Sequence, residues 1–296
     1  MERRKVNRIP SAILCSDIHL REDAPTCFIG NWDQEQWDAV MFINNLQTHY
    51  QCPVLNAGDL FHHWKPSPNL LTLTMQYLPK QFYSIAGQHD LPQHNWELRF
   101  KSGIFTLVES GHVKDEQDLH GFSVEFCHYG FEPKNRGKIL LWHHLTYISK
   151  PFPGASGGMA EGILRKYPQY DLIVTGDNHQ SFSVEYKGRL LVNPGNITRQ
   201  TADQADFQPR VALWYADTNT IEWVNLPKQE GVISREHIAI KKERDKRIDA
   251  FIAKISNELD ENVFSLEEAL DRFQNKNKID KRTMQIIYKA LENGKK

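Results

Sequence analysis

The chain has few cysteines and no long apolar run, and each shortage removes a class of protein. Its 296 residues include four cysteines, none in a Cys-x-x-Cys spacing, so neither a disulfide framework nor a cysteine zinc site is expected. No run of apolar residues is long enough to cross a bilayer, so the sequence predicts no membrane span and no membrane partner. The basic start is not followed by an apolar signal core, which predicts a cytoplasmic protein.

An excess of charge of either sign is also missing. The 36 basic and 37 acidic residues leave a formal net charge of −1. A balanced total neither supports nor excludes a nucleic-acid partner, because a basic groove can form on a neutral protein and a bound metal adds positive charge. The glycine-rich stretch 151–158 lacks the Gly-Lys-Ser/Thr ending of a phosphate-binding P-loop, so no nucleotide site of that kind is predicted.

What the chain does have is a set of short apolar runs that lead into residues of metal-ligand type. The runs are Ala12–Ser16, Pro53–Ala57, Phe82–Ala86, Ile139–Trp142, Leu172–Thr175 and Leu190–Asn193. Short apolar runs bounded by turn residues are typical of buried strands. Ligands at strand ends converge on one edge of a sheet, and burying carboxylates and imidazoles is costly without a metal or a partner. The pattern therefore predicts one polynuclear metal site.

The segments between these runs predict helices and hairpins. Gln34–Gln47 and Pro68–Leu78 have helical spacing of apolar residues. Two hairpins are expected, Ser181–Tyr186 with Arg189–Asn193 and Val211–Tyr215 with Ile221–Val224. Strands separated by helices favour parallel pairing, whereas hairpins are antiparallel. We therefore expect an α/β protein with a sandwich of mixed sheets and helices outside.

The character of the chain changes after Pro227. The stretch 241–259 carries apolar residues on one helical face, Ser265–Glu268 is a capping box, and Asp280 can cap a third helix. The sequence thus predicts a main domain over residues 1–227 and a small helical region over residues 228–296. That region either packs on the main domain or docks a partner.

The ligand-type residues suit one metal centre in their spacing and chemistry. Asp17 and His19 are two residues apart, which on a plain strand would point both side chains to the same face. Asp59 has two carboxylate oxygens and is able to bridge two ions. Aspartate, histidine and amide ligands without thiolate suit manganese, iron or zinc better than calcium. Two ions about 3.5–4 Å apart can activate a bridging water and hold a phosphoryl oxygen.

Taken in order, these residues resemble a known family. Asp17-x-His19, Gly58-Asp59, Gly87–Asp90, His143 and Gly176–His179 resemble the five motifs of the calcineurin-like metallophosphoesterases, over roughly residues 11–200. The segments Gly58–Ser67 and Asn193–Arg199 resemble one branch of it, the DNA double-strand-break repair exonucleases that pair with a coiled-coil ATPase. The resemblance implies a metallophosphoesterase β-sandwich with two divalent ions, manganese first and magnesium, iron or zinc as alternatives.

The resemblance also implies a role for each residue. One ion is held by Asp17, His19, Asp59 and His179, and the other by Asp59, Gln88, His143 and Asp177. His89 donates a hydrogen bond or a proton to the phosphate or leaving oxygen and is steadied by Asp90, while His62 positions the DNA backbone. Where two histidines are adjacent, the first is expected to ligate, which favours His143 over His144.

Two positions differ from the residues that the family usually has, and both are expected ligands of the same ion. Gln88 stands where the family usually has asparagine, and Asp177 stands where it usually has histidine. The extra negative charge favours manganese or magnesium and lowers the Lewis acidity of that ion. The two changes either compensate each other or leave the second ion weakly bound.

The function that follows from the resemblance is hydrolysis of DNA, as an exonuclease or endonuclease, by a hydroxide that two metal ions activate. A nucleotide or other small phosphoester is the first alternative substrate, and an impaired scaffold that recruits an ATPase is the second alternative. The expected partners are DNA, an ATPase docked on the C-terminal helices, and a second copy contacting helix Pro68–Leu78. Arg199 either neutralises phosphate or is solvated, and the remaining histidines, including His128, are expected on the surface or in structural roles.

Overall fold

The computed structural model describes residues 8–115, 118–119, 121–150 and 156–258, and beyond these only 274, 280, 282–285 and 289. The chain forms two compact units, Met1–Ser234 and Arg235–Lys296. The predicted division into a main functional domain, residues 1–227, and a small helical region, residues 228–296, stays a prediction. No helix in the described part of the chain is long and apolar enough to cross a membrane.

The strands of the first unit form two large sheets and one small one. In chain order they are β1 (Ala12–Cys15), β2 (Val54–Asn56), β3 (Phe82–Ser84), β4 (Asp118–Leu119), β5 (Phe122–Cys127), β6 (Ile139–Trp142), β7 (Thr146–Tyr147), β8 (Gly158–Met159), β9 (Leu172–Thr175), β10 (Phe182–Tyr186), β11 (Arg189–Asn193), β12 (Arg210–Tyr215) and β13 (Thr220–Asn225). One sheet has the order β13-β12-β1-β2-β3 and the other β10-β11-β9-β6-β5-β4, while β7 pairs with β8. Both large sheets are mixed, because β1, β2 and β3 run parallel, as do β5, β6, β9 and β11, whereas β12 and β10 are antiparallel to their neighbours. The six predicted strands and both predicted hairpins are confirmed.

The helices have recognisable end signals in the sequence. They are α1 (Trp32–Tyr50), α2 (Pro68–Tyr77), α3 (Gly103–Glu109), α4 (Ala160–Lys166) and α5 (Glu236–Glu258), with short 3₁₀ turns at Pro92–His94, Trp96–Lys101 and Ala202–Gln204. The Asn31 side chain caps α1 by accepting from the Gln34 N–H, and Ser67 caps α2 in the same way. Both predicted helices are confirmed, and α1 extends beyond its predicted bounds at both ends, because it begins after its cap Asn31 and ends only before the left-handed Gln51.

Three buried clusters give the first unit its layers. Alternate residues of β1 divide between two of them: Ala12 and Leu14 lie between the sheets, while Ile13 and Cys15 pack under α1 and α2. The second sheet is covered on its outer face by α4. The arrangement is helix, sheet, sheet, helix, which confirms the predicted sandwich of mixed sheets flanked by helices.

The second unit contains α5 and a capped turn. Asp280 accepts from the backbone N–H groups of Arg282 and Thr283, as predicted for a helix start. The predicted capping box Ser265–Glu268 lies outside the described residues, as does residue 259 at the end of the first predicted helix.

Candidate metal centre

Four predicted ligand positions have backbone conformations that are rare outside glycine. The φ angle is 50° at Asp17 and His19, 53° at Asp59 and 72° at Asp177. The strand argument for Asp17 and His19 is therefore wrong, because β1 ends before Asp17 and neither residue is extended. Their N–H groups instead donate to carbonyls of the loop after β2, at 3.0 and 2.9 Å. Strained positions held in this way cluster at functional sites.

Asp59 lies in the middle of the predicted ligands. Its Oδ1 accepts a hydrogen bond from the His89 backbone N–H at 2.9 Å. Its Oδ2 is buried without a hydrogen-bond partner among the described residues, 3.7 Å from His19 Nε2 and 3.6 Å from His143 Nε2. A free carboxylate oxygen between two imidazoles is placed to be shared by two cations, which fits the bridging role predicted for Asp59.

On one side of Asp59, two imidazoles and a carboxylate converge. His19 Nε2 lies 3.2 Å from His179 Nε2, and Asp17 Oδ2 is buried without a partner in the described part of the chain. Burial and the nearby His179 hold the pKa of His19 well below its usual value, which favours its neutral imidazole, the form that binds a metal ion. The ligand atoms of Asp17, His19 and His179 lie within 4.8 Å of one another, so a divalent cation fits.

On the other side of Asp59, His143 faces the Gln88 amide. His143 Nδ1 lies 2.6 Å from the Ala57 carbonyl oxygen, so this nitrogen carries the proton and Nε2 keeps its lone pair. His143 Nε2 in turn lies 2.6 Å from Gln88 Oε1, which is an acceptor. His143 Nε2 and Gln88 Oε1 are thus two acceptors that face each other, and Asp59 Oδ2 lies 3.6 Å from the first. This arrangement fits a second cation bound by these atoms.

Burial also changes the pKa values of the carboxylates in this centre. It raises the pKa of Asp17, and it raises the pKa of Asp59 well above the usual range, with Asp90 and Asp17 adding to the shift. Ionising both groups in this interior is unfavourable unless positive charge arrives. The donor set, the unpaired oxygens and the crowding of acidic groups together fit divalent metal ions.

The predicted catalytic histidines form a stacked pair beside this centre. The rings of His62 and His89 are stacked with centroids 5.3 Å apart, and the His89 ring stands 4.8 Å from that of His19. His89 Nδ1 donates to the His62 carbonyl oxygen at 2.9 Å. Burial lowers the pKa of both histidines, that of His62 to about 4. The His62 backbone therefore orients the His89 ring, a role that the sequence did not reveal.

Asp90 is central to the loops but does not steady the His89 ring as expected. Its two carboxylate oxygens accept from the backbone N–H groups of Leu60, Phe61 and Gly87, at 3.2, 3.0 and 3.0 Å. The side chain is completely buried, and burial raises its pKa to about 6. Asp90 thus joins the loop after β2 to the loop after β3, and acts on the site through the backbone.

Two glycines at strand ends are required by close packing against ligands. A Cβ atom at Gly87 would collide with the Asp59 carboxylate, and one at Gly58 would collide with the His143 ring. Gly58 also has a φ of 100°. Both glycines are visible in the sequence as turn residues, but their contacts with ligands are not.

The structure also places other residues considered from the sequence, and Arg199 among them differs from its prediction. Arg199 is neither solvated nor directed at a phosphate site, because it is 1% exposed and paired with Glu35 at 3.0 Å. The His144 ring stacks on Trp142 with centroids 3.9 Å apart, while His143 alone of the two faces Asp59. Trp64, within the segment Gly58–Ser67, is half-buried. All four cysteines are buried and form no disulfide bond.

Comparisons with known proteins agree with this geometry. The family described as calcineurin-like phosphoesterase matches residues 11–181. The DNA double-strand break repair protein Mre11 of Haloferax volcanii is 25% identical over 169 residues. That match covers 52% of this chain and 38% of the relative, so the chain spans less than two-fifths of the length of that protein.

Similar solved structures include a phosphopantetheinyl hydrolase from Mycobacterium tuberculosis and an archaeal phosphodiesterase. The first is 11% identical with a TM-score of 0.45, over 74% of this chain and 97% of that one. The second is 11% identical with a TM-score of 0.42, over 73% of this chain and 99% of that one.

Proposed function

Because the chain belongs to the calcineurin-like phosphoesterase family, we propose that it hydrolyses phosphodiester bonds of DNA at a centre of two divalent ions. Asp17, His19, Asp59 and His179 would hold one ion, and Asp59, Gln88 and His143 the other. When bound, such ions lower the pKa of water and stabilise the charge on phosphoryl oxygens.

The observation that carries this proposal is the position of Asp59 Oδ2. It is the buried, unpaired oxygen that lies within 4 Å of both His19 Nε2 and His143 Nε2. Positive charge on both sides of Asp59 would satisfy this oxygen and the two nitrogens together. Two ions that share one carboxylate are the economical explanation.

DNA as the substrate is supported by two further observations. A relative named for DNA double-strand break repair matches 52% of the chain. The segment Gly58–Ser67, which resembles that branch of the family, lies next to the centre, since its His62 ring is 5.6 Å from that of His19. A substrate phosphate near Asp59 would therefore lie close to this segment.

His89 and His62 would act on the substrate together. Since Nδ1–H of His89 is committed to the His62 carbonyl, the ring would donate from Nε2 to the phosphate or the leaving oxygen only as an imidazolium, a form that the negative charge of a bound phosphate favours. The buried Asp90 carboxylate keeps both loops in register and so holds His89 at a fixed distance from Asp59. Manganese is the proposed metal, because the set combines oxygen donors with imidazoles and contains no thiolate.

A cleavage assay tests the proposal. Wild type, Asp59→Ala and the control Asp171→Ala, which removes an exposed carboxylate, would be incubated with Mn²⁺ and labelled linear duplex or single-stranded DNA. Bis(p-nitrophenyl) phosphate would serve as a small diester. We expect manganese-dependent DNA cleavage that Asp59→Ala abolishes and Asp171→Ala retains.

Two other results would redirect the proposal. Hydrolysis of the small diester without DNA cleavage would replace DNA by a small phosphoester as substrate. No hydrolysis of either substrate, with no Mn²⁺ bound in equilibrium dialysis, would contradict catalysis and favour a scaffold.

We further propose two protein partners. A coiled-coil ATPase would dock on residues 228–296, where the charged helix α5 lies, and a second copy of the chain would contact α2. Both proposals rest on the resemblance of Gly58–Ser67 and Asn193–Arg199 to the repair-exonuclease branch, and the Haloferax relative is named for DNA double-strand break repair. Sedimentation velocity would show a dimer in the micromolar range, and a monomer at all concentrations would contradict the second proposal.

A further inference from the structure

Asp177 contacts an amide in the site rather than the imidazoles. Its Oδ1 accepts a hydrogen bond from Gln88 Nε2 at 2.5 Å, and its backbone N–H donates to Asp17 Oδ1 at 3.0 Å. Three trios of histidine and carboxylate ligand atoms lie within 4.8 Å of one another among the described residues, and none of them includes Asp177. Its carboxylate is therefore tied to Gln88 more closely than to the ligand clusters.

Gln88 needs such a partner because the two ends of an amide differ in chemistry. The carbonyl oxygen can bind a cation, whereas the NH₂ group only donates hydrogen bonds. Gln88 Oε1 points to His143 Nε2 at 2.6 Å, while Nε2 points to Asp177. A carboxylate accepts and does not donate, so Asp177 selects the orientation in which Oε1 faces the ligands.

We propose that Asp177 is a positioning residue that fixes the Gln88 amide with Oε1 toward the second metal ion, and that it is not itself a required ligand of that ion. The inference rests on the two-ion centre proposed above but not on DNA as the substrate. Gln88 and Asp177 then form one functional unit, in which the longer amide is held by a carboxylate from the other sheet.

The two roles of Asp177 are distinguished by what an asparagine side chain can replace. In Asp177→Asn the new amide would still offer a carbonyl oxygen to Gln88 Nε2 but would carry no charge. In Asp177→Leu a side chain of similar size would offer neither. A positioning role is therefore retained by Asp177→Asn and lost by Asp177→Leu, whereas a ligand that acts by its negative charge is impaired by both changes.

The test measures Mn²⁺ binding to the full chain by isothermal titration calorimetry, with stoichiometry checked by electron paramagnetic resonance of free Mn²⁺. We expect wild type and Asp177→Asn to bind two ions with affinities within about threefold. We expect Asp177→Leu to bind the weaker ion about 10- to 100-fold less tightly, the usual effect of losing a residue that orients a ligand. Asp171→Asn, on an exposed carboxylate, is the matched control.

A double-variant cycle separates the roles without relying on activity. In a Gln88→Leu background, adding Asp177→Leu should not weaken Mn²⁺ binding further, because Asp177 would have no amide left to orient. Equal losses for Asp177→Asn and Asp177→Leu, or additive losses in the cycle, would overturn the proposal and make Asp177 a direct ligand. Wild type binding fewer than two ions would instead contradict the two-ion centre. Thermal unfolding of each variant checks that it is folded.

Discussion

His128 shows how one side chain can be held neutral for structural reasons. Its Nδ1 accepts a hydrogen bond from the Ala86 N–H at 2.9 Å, and its ring packs against Trp96 with centroids 4.3 Å apart. Burial, with a smaller contribution from Arg99, lowers its pKa to about 4. The structural role expected for His128 is thus confirmed, and the residue supports the strand end that leads into Gln88.

The lowered pKa of His128 predicts that the folded chain becomes less stable as the pH falls. Because the pKa is lower in the folded than in the unfolded chain, His128 contributes stability above the usual histidine pKa of about 6.5. That stability is lost as pH falls from about 6.5 toward 4, at up to about 1.4 kcal/mol per pH unit. Urea unfolding at pH 7 and pH 5 would measure it. His128→Gln keeps an acceptor for Ala86 but cannot be charged, so its stability should fall less with acidity.

The control for this measurement is His112→Gln, since His112 is an exposed histidine. Its pH dependence should match that of the wild type. If His128→Gln also matched the wild type, His128 would not be the group that is kept neutral.

At the scale of elements, a buried ion pair joins three segments of the first unit. Arg199, after β11, donates to Glu35 in α1 and to the Gln229 carbonyl, and Glu35 also accepts from the Gln229 N–H at 2.7 Å. Both side chains of the pair are 1% exposed. An arginine that the sequence offers as a phosphate ligand therefore stabilises the connection between a strand, a helix and the end of the unit.

Breaking this pair should be costly, because it leaves one buried charge alone. We predict that Arg199→Met lowers the free energy of unfolding by about 3–5 kcal/mol, and that adding Glu35→Leu recovers part of the loss. Chemical denaturation of the two single variants and the double variant measures the coupling. Additive losses would mean that the two charges do not interact.

At the scale of the whole molecule, the candidate centre joins the two sheets. Asp17, Asp59 and Gln88 follow β1, β2 and β3 of one sheet, while His143 and His179 follow β6 and β9 of the other. An ion bound by residues from both sheets stabilises the sandwich only while the sheets stay together. Metal binding is therefore linked to unfolding of the first unit as a whole.

Calorimetric unfolding in increasing Mn²⁺ tests this linkage. The transition of the first unit should move to higher temperature, with about 2.7 kcal/mol for each site when free Mn²⁺ is 100 times the dissociation constant. Asp59→Ala should remove most of the shift, and Asp171→Ala should keep it. A shift that persists in Asp59→Ala would place the bound metal elsewhere.

Local apolar patterns and turn residues in the sequence were enough to predict the six strands of the short apolar runs, the two hairpins and the order of the ligand motifs. The strands β4, β7 and β8 were not predicted. The sequence also predicted the edge at which ligands gather, since parallel strands bring their carboxyl ends together.

How the polar side chains pair became visible only in the folded chain. The sequence placed Asp90 beside His89, but its oxygens accept from three backbone N–H groups of two loops. It offered Arg199 to phosphate or to water, but Glu35 lies 164 positions away in the chain and meets it in the core. It left open whether Gln88 and Asp177 compensate each other or weaken one ion, whereas folding joins them in one hydrogen bond across the sheets. Such contacts depend on distance in space and on left-handed loop conformations, neither of which a local pattern records.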